Sequence, residues 1–147
     1  MAKIYGIDLG TTYSCISYVD EFGKAEVVSN KEGSPVTPSV VAFEQGGNAY
    51  VGQAAKETLN IDPTNVCSTI KRRMGKRDYT FTAFGKDYTP EEVSAMILSK
   101  LAKDASEVLG EEVKDVVITC PAYFNMDERG TTKQAGIIAG LNVLAII

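Results

Sequence analysis

The chain has 147 residues, 44% apolar and 23% charged, and its 15 basic and 19 acidic side chains sum to a net charge of −4. That balance excludes intrinsic disorder, collagen-like repeats and a disulfide-stapled mini-scaffold, and the mildly acidic sum speaks against nucleic acid as a partner. No apolar run approaches the ~20 residues that span a bilayer, and Asp8 interrupts the one N-terminal run that could serve as a signal core, so a cytoplasmic protein with no membrane partner is expected.

In chain order, Lys3 to Asp8 reads as a strand, followed by a Gly10-Thr11-Thr12 turn and strands at Ser14 to Val19 and Ala25 to Ser29, an antiparallel meander. A polar loop from Asn30 to Pro38 leads to a strand at Ser39 to Phe43. Gly46-Gly47 then signals a hairpin returning through Ala49 to Val51. A helix is predicted from about Gly52 to Leu59, stopping before Asp62-Pro63. Thr69 to Met74 is open between helix and loop, and Tyr79 to Tyr88 reads as an exposed hairpin around Gly85.

Thr89-Pro90-Glu91-Glu92 is a capping box with proline at the first helical position. Behind it, Val93, Ile97, Leu101, Ala105 and Leu109 form an i+4 stripe widened by Met96 and Val108 and closed by Gly110. Asp115 to Cys120 is an apolar strand ended by Pro121. A helix over about Asp127 to Ala139 should bury Ala135, Ile138 and Ala139, and a strand follows from Asn142 to Ile147. A strand ending Leu-Ala-Ile-Ile without a turn or charged tail looks like a cut, and its apolar edge is expected to favour self-association.

Histidine is absent, which removes Ser-His-Asp triads, Cys-His pairs and His-ligated zinc from consideration. Cys15, Cys67 and Cys120 are too widely spaced for a metal knuckle or a disulfide framework and are expected to be buried, reduced thiols. Three segments could carry chemistry. In Gly6-Ile7-Asp8-Leu9-Gly10-Thr11-Thr12 an apolar strand delivers a carboxylate to its own end and a Gly-Thr-Thr turn follows. Gly10 permits close backbone approach or a positive φ, the following N–H groups and two hydroxyls can form an anion-binding nest, and Asp8 could hold Mg²⁺ through water. The same residues could equally make a tight hairpin whose Thr and Asp satisfy turn backbone. No P-loop and no G-x-G-x-x-G motif is present.

The second segment, Lys71-Arg72-Arg73-Met74-Gly75-Lys76-Arg77, is either a solvated basic face or the source of one lysine that reaches a phosphate; it lacks the interleaved aromatics of a nucleic-acid surface. The third, Thr119-Cys120-Pro121-Ala122-Tyr123-Phe124-Asn125, is a rigid strand-to-helix joint, which simple packing of two aromatics would also explain.

Together these segments resemble the 70-kDa heat-shock chaperone family of the bacterial DnaK type. The resemblance runs in register through Gly6 to Cys15, Thr37-Pro38-Ser39, Val51-Gly52-Gln53, Ile70-Lys71-Arg72, Pro121 to Asn125 and Ile138-Ala139-Gly140-Leu141. It implies an α/β, actin-like ATPase (ribonuclease H-like) fold, of which this chain would be the first part of lobe I. Its core layer would span about 1–37 and 112–147, with a smaller upper subdomain at about 38–111.

It further implies ATP/ADP and Mg²⁺ as cofactors, Asp8 in the Mg²⁺ shell, and Gly10, Thr11, Thr12 and Tyr13 as the first phosphate loop. Lys71 would be the catalytic lysine that positions the attacking water, and Pro121 and Arg129 the allosteric relay. The expected partners, through the full-length parent, are unfolded polypeptide clients, a J-domain co-chaperone and a nucleotide exchange factor, and the chain alone is expected to be inactive. Met126, Gly130, Gln134 and Ala145 depart from the family pattern at relay and contact positions and leave the phosphate residues intact. An actin-fold sugar kinase shares the first loop but accounts for neither Lys71-Arg72 nor the Pro121 to Asn125 segment, and a non-catalytic truncated module is the third reading.

Overall fold

The computed structural model describes residues 3–147. The β-strands are β1 (Ile4–Asp8), β2 (Tyr13–Val19), β3 (Ala25–Val28), β4 (Thr37–Pro38), β5 (Val41–Phe43), β6 (Ala49–Val51), β7 (Val66–Cys67), β8 (Phe81–Ala83), β9 (Lys86–Tyr88), β10 (Asp115–Thr119) and β11 (Asn142–Ile146). The α-helices are α1 (Gln53–Leu59), α2 (Pro90–Leu109) and α3 (Met126–Ile138), with 3₁₀ turns at Pro63–Asn65 and Ile70–Arg73.

The main sheet runs β11-β10-β1-β2-β3, with β4 paired to β2. The meander β1-β2-β3 is antiparallel, as its short turns require, whereas β10 joins β1 in parallel and β11 joins β10 in parallel, each after a helical crossover. Alternation decides the faces. Tyr5 and Ile7 of β1, Ile16 of β2, Val28 of β3, and Val116 and Ile118 of β10 point into one core, where they meet Val93, Ile97, Leu98 and Leu101 of α2 and Ala135 of α3. The opposite face leaves Ile4, Val19, Val27 and Ile147 exposed. A second sheet, β6-β5-β7, and the β8-β9 hairpin stand beyond α2.

The long helix forms as its sequence demands. Thr89 Oγ1 accepts the Glu92 N–H and the Glu92 carboxylate accepts the Thr89 N–H, the capping box in full, while Gly110 ends the helix in a left-handed conformation.

Several expectations need correction. Val108 is half-exposed and so does not widen the buried stripe of α2. In α3 the buried positions are Thr132, Ala135 and Gly136, while Ile138 is half-exposed, because the contact face is set by close approach to β11 rather than by the apolar side chains alone. The β8-β9 hairpin is not freely exposed: Ala83 and Tyr88 are buried, and the Phe43 ring lies 4.4 Å from Tyr88 and 5.6 Å from Phe81. The ambiguous stretch after Thr69 resolves into the 3₁₀ turn Ile70–Arg73. The two-residue strands β4 and β7 carry no periodic signal of their own and exist by pairing with β2 and β5. Of the three thiols only Cys67 is fully buried; Cys15 and Cys120 are partly exposed, and all three are free.

Candidate functional site

Parallel pairing of β1 with β10 brings their carboxyl ends together, the edge of an open α/β sheet where ligands bind. Asp8 closes β1 there, exposed, with Thr119 of β10 directly beside it in register and Cys15 of β2 on its other side. Thr119 Oγ1 donates to Asp8 Oδ1 at 3.2 Å and fixes the carboxylate's orientation while leaving its second oxygen free for a hydrated cation. Among the described residues no group of three His, Cys, Asp or Glu side chains could hold a metal. A lone hard carboxylate suits Mg²⁺, which keeps most of its waters, and does not suit a dehydrated, all-protein cage.

The turn after Asp8 is held from below. Gly10 N–H donates to Ser14 Oγ at 3.1 Å, Ser14 Oγ pairs with Ser39 Oγ at 2.7 Å, and Ser39 N–H donates to the Thr12 carbonyl at 2.9 Å. Ser14 and Ser39 are buried, so this small polar network fixes the turn's shape. Glycine is required at position 10 because a Cβ there would run into the Tyr13 carbonyl oxygen. The expected alternative, a positive φ, does not occur at Gly10; close approach is the whole reason. Neither the backbone N–H nor the hydroxyl of Thr11 or Thr12 donates to another described residue, so these donors remain available to a ligand. Tyr13 is positioned by α1: Lys56 Nζ donates to its hydroxyl at 2.8 Å and lies 5.0 Å from the ring centroid.

Lys71 arrives from a different part of the chain. Its 3₁₀ turn is anchored by buried Ile70 and Met74, the latter accepting a hydrogen bond from Ser94 Oγ of α2 at 3.3 Å. Thr69, at the head of that turn, has φ 60°, a strained position for a β-branched residue and one that the packing around it must enforce. The Lys71 ammonium stands 5.9 Å from the Phe124 ring centroid. Burial lowers its pKa from the ordinary lysine value, and the Asp8 charge acts on it in the opposite direction. Asp8 is thus among the charges that act on Lys71. Arg72, Arg73, Lys76 and Arg77 are exposed, the solvated basic face.

Pro121 and Arg129 meet through Phe124. The Phe124 N–H donates to the Pro121 carbonyl at 3.0 Å, and Arg129 Nε donates to the Phe124 carbonyl at 3.2 Å. The joint is thus a compact turn closed by the first turn of α3, with the buried Phe124 ring under Lys71.

Thr119, Ser14, Ser39 and Lys56 support the site, although the sequence reading gave none of them a role of its own there. Thr119, Ser14 and Ser39 fall inside motifs that the sequence offered; Lys56 does not, and its partner Tyr13 comes from a distant segment. Clefts of about 650 Å³ against α2 and about 740 Å³ on the open sheet face lie elsewhere and include none of Asp8, Gly10 to Tyr13 or Lys71.

Comparison with known proteins adds independent findings. The family model described as Hsp70 protein matches residues 4–81 and 77–147. The chain is 54% identical over 144 residues to the Chaperone protein DnaK of Thermotoga neapolitana, and equally to those of Thermotoga petrophila and Thermotoga maritima. In each case the match covers 98% of this chain and 24% of the relative, so the chain spans about a quarter of the length of the curated relatives it matches.

Proposed function

The chain belongs to the Hsp70 protein family, and we propose that it supplies one wall of the Mg-ATP cleft of a chaperone ATPase with a partial actin-like nucleotide-binding fold. The observation that carries this reading is the convergence of Asp8, the Gly10 to Tyr13 turn and Lys71 at the carboxyl ends of β1 and β10.

In this reading the free N–H and hydroxyl donors of Thr11 and Thr12, with the neighbouring Tyr13, hold phosphate oxygens, and Gly10 keeps the turn tight enough to present them. Asp8, oriented by Thr119, would hold the hydration shell of Mg²⁺. Bound Mg²⁺ would neutralise charge on the phosphate oxygens. Lys71 orients the attacking water and meets the negative charge that develops on the transferring phosphoryl group, a positioning and electrostatic role. Its half-buried setting strengthens that interaction, since a charge shielded from water acts through a lower effective dielectric. Pro121 and Arg129, joined through Phe124 beneath Lys71, are suited to relay the state of the site to α3.

The partners that follow are unfolded polypeptide clients, a J-domain co-chaperone and a nucleotide exchange factor, and the proposed compartment is the cytoplasm. No helix among the described residues is long and apolar enough to cross a membrane. The core layer is assigned to about 1–37 and 112–147 and the upper subdomain to about 38–111. The exposed Leu144 and Ile147 at the uncharged β11 edge support self-association of the isolated chain.

The test is Lys71→Ala in the full-length parent. ATP turnover should fall by about 10²-fold or more, the scale of losing one preorganised transition-state donor, with nucleotide affinity changed by less than about threefold. Turnover at the wild-type rate would remove Lys71 from the mechanism.

A further inference from the structure

The basic segment contains one residue that the site does not yet explain. Gly75 has φ 80°, and its backbone lies against the first turn of α3: a Cβ built at position 75 would sit 2.9 Å from Glu128 Cγ, with the Glu128 nitrogen and Cα at 3.4 and 3.5 Å. A long, flexible side chain would ordinarily move aside. Glu128 cannot do so freely, because its carboxylate closes the α3 capping box: Oε1 accepts the Asn125 N–H at 3.1 Å, and Asn125 Oδ1 accepts the Glu128 N–H at 2.8 Å. Arg77 adds an ion pair to Asp127 at 3.6 Å, in the same helical turn. The Lys71 turn is continuous with this contact, since the Met74 N–H donates to the Lys71 carbonyl at 3.3 Å and the Lys76 N–H to the Arg73 carbonyl at 3.0 Å.

We propose that Gly75 and Glu128 are a positioning pair: the capped first turn of α3 is the floor on which the Lys71 turn rests, and the missing Cβ of Gly75 sets the height of the Lys71 ammonium over Phe124. The proposal rests on the catalytic reading of Lys71 for its functional meaning and on geometry alone for its structural content. Phe124 lies at the other end of the same joint, bonded to Arg129, so one rigid element supplies both the floor under Gly75 and the ring facing Lys71. A side chain at position 75 lifts the turn from that element and separates the ammonium from the ring.

The experiment is nuclear magnetic resonance of this chain with selectively labelled lysine and phenylalanine, which reads the proximity of the Lys71 side chain to the Phe124 ring without requiring turnover. Gly75→Ala should lose the Lys71–Phe124 Overhauser contacts and the ring-current shift of the Lys71 methylenes. Adding Glu128→Ala to Gly75→Ala removes the obstructing Cγ and should restore both signals. Adding Glu128→Gln instead keeps Cγ and the acceptor oxygen and should not restore them. This cycle separates contact with Glu128 from backbone strain, which neither second substitution relieves.

Undiminished contacts in Gly75→Ala, or no recovery in Gly75→Ala/Glu128→Ala, would overturn the proposal. So would unfolding of both double variants, because the lost Lys71–Phe124 contacts would then report loss of the fold and not a lifted turn. In the full-length parent, Gly75→Ala should lower kcat with KM little changed. If the resonance results hold while Lys71→Ala leaves turnover intact, the catalytic reading fails and the positioning contact stands.

Discussion

The three cysteines show how little of a residue's chemistry is contained in its type. Cys67, on β7, is 3% exposed, and its thiol is pushed up to about 12 by burial, against a weaker opposing pull from Arg73. Cys15 is raised too, by burial first and by the neighbouring Asp8 charge second. Cys120 is partly exposed. Since a reagent must reach the sulfur, a neutral alkylating reagent at pH 8 should modify the partly exposed Cys15 and Cys120 in the folded chain and Cys67 only on unfolding. Peptide mass mapping over a time course reads the order, and early labelling of Cys67 would contradict the packing around β7. The sign of the linkage follows: the folded thiol of Cys67 ionises above the unfolded one. Its contribution to stability is therefore complete below pH 9 and is lost as pH rises from there through the folded value.

At the level of elements, α2 is fixed at one end by its capping box and along its flank by an acidic-basic cluster. Lys100 Nζ lies 2.6 Å from Asp104 Oδ2 and 2.9 Å from Glu32, and Asp104 also accepts the Lys31 N–H at 3.1 Å. This ties the Asn30 to Pro38 loop to the helix, with Asn30 itself bonded to Val36, Thr37 and Ser34. Asp104→Ala leaves the mostly buried ammonium to Glu32 alone and strands the Lys31 backbone donor, and should cost about 1.5–3 kcal/mol, the range for hydrogen bonds to charged groups. Burial works against the Lys100 ammonium, but Asp104 and Glu32 together outweigh it and raise its pKa above 10.5. The stabilisation is thus fully present below pH 10.5 and is lost only as pH rises through the folded value. Chemical denaturation at pH 6 and pH 9 should show the same deficit in the variant; a deficit that vanished at pH 9 would contradict the cluster.

In α3, Gly130 sits mid-helix with φ outside the left-handed region and open space where a Cβ would go. Gly130→Ala should therefore stabilise by about 0.5–1 kcal/mol, through helix propensity and a less flexible unfolded chain. A melting temperature unchanged or lowered would mean that the helix makes a contact there that the glycine serves.

For the whole molecule, the disposition of the site matters more than its inventory. Asp8, Thr12 and Tyr13 are exposed at the end of the sheet, whereas nucleotide sites bury most of their ligand between facing walls. One wall supplies donors without enclosure, and phosphoryl transfer depends on many simultaneous contacts. Calorimetric titration of the 147-residue chain with Mg-ATP should give a dissociation constant weaker than about 100 µM, short of the micromolar range where ~8 kcal/mol of binding is needed. Micromolar or tighter binding by a monomer would show that these residues form a sufficient site.

What the sequence determined by itself was local. The capping box at Thr89, the glycine stop at Gly110, the alternation in β1 and β10 and the Asp8-to-Thr12 turn all rest on interactions within a few residues, and each was legible in order along the chain. The same holds for the motifs that carried the family resemblance. The tertiary structure decided what depends on distant partners. It chose which face of α3 is buried and left Ile138 outside, covered the β8-β9 hairpin with Phe43, and made β4 and β7 into strands. It also brought Lys71 within reach of the Asp8 charge and placed Ser14, Ser39, Thr119 and Lys56 around the Asp8-to-Tyr13 turn. No periodicity encodes those choices, because burial, desolvation and close approach are properties of a position in space, and chain neighbours do not specify them.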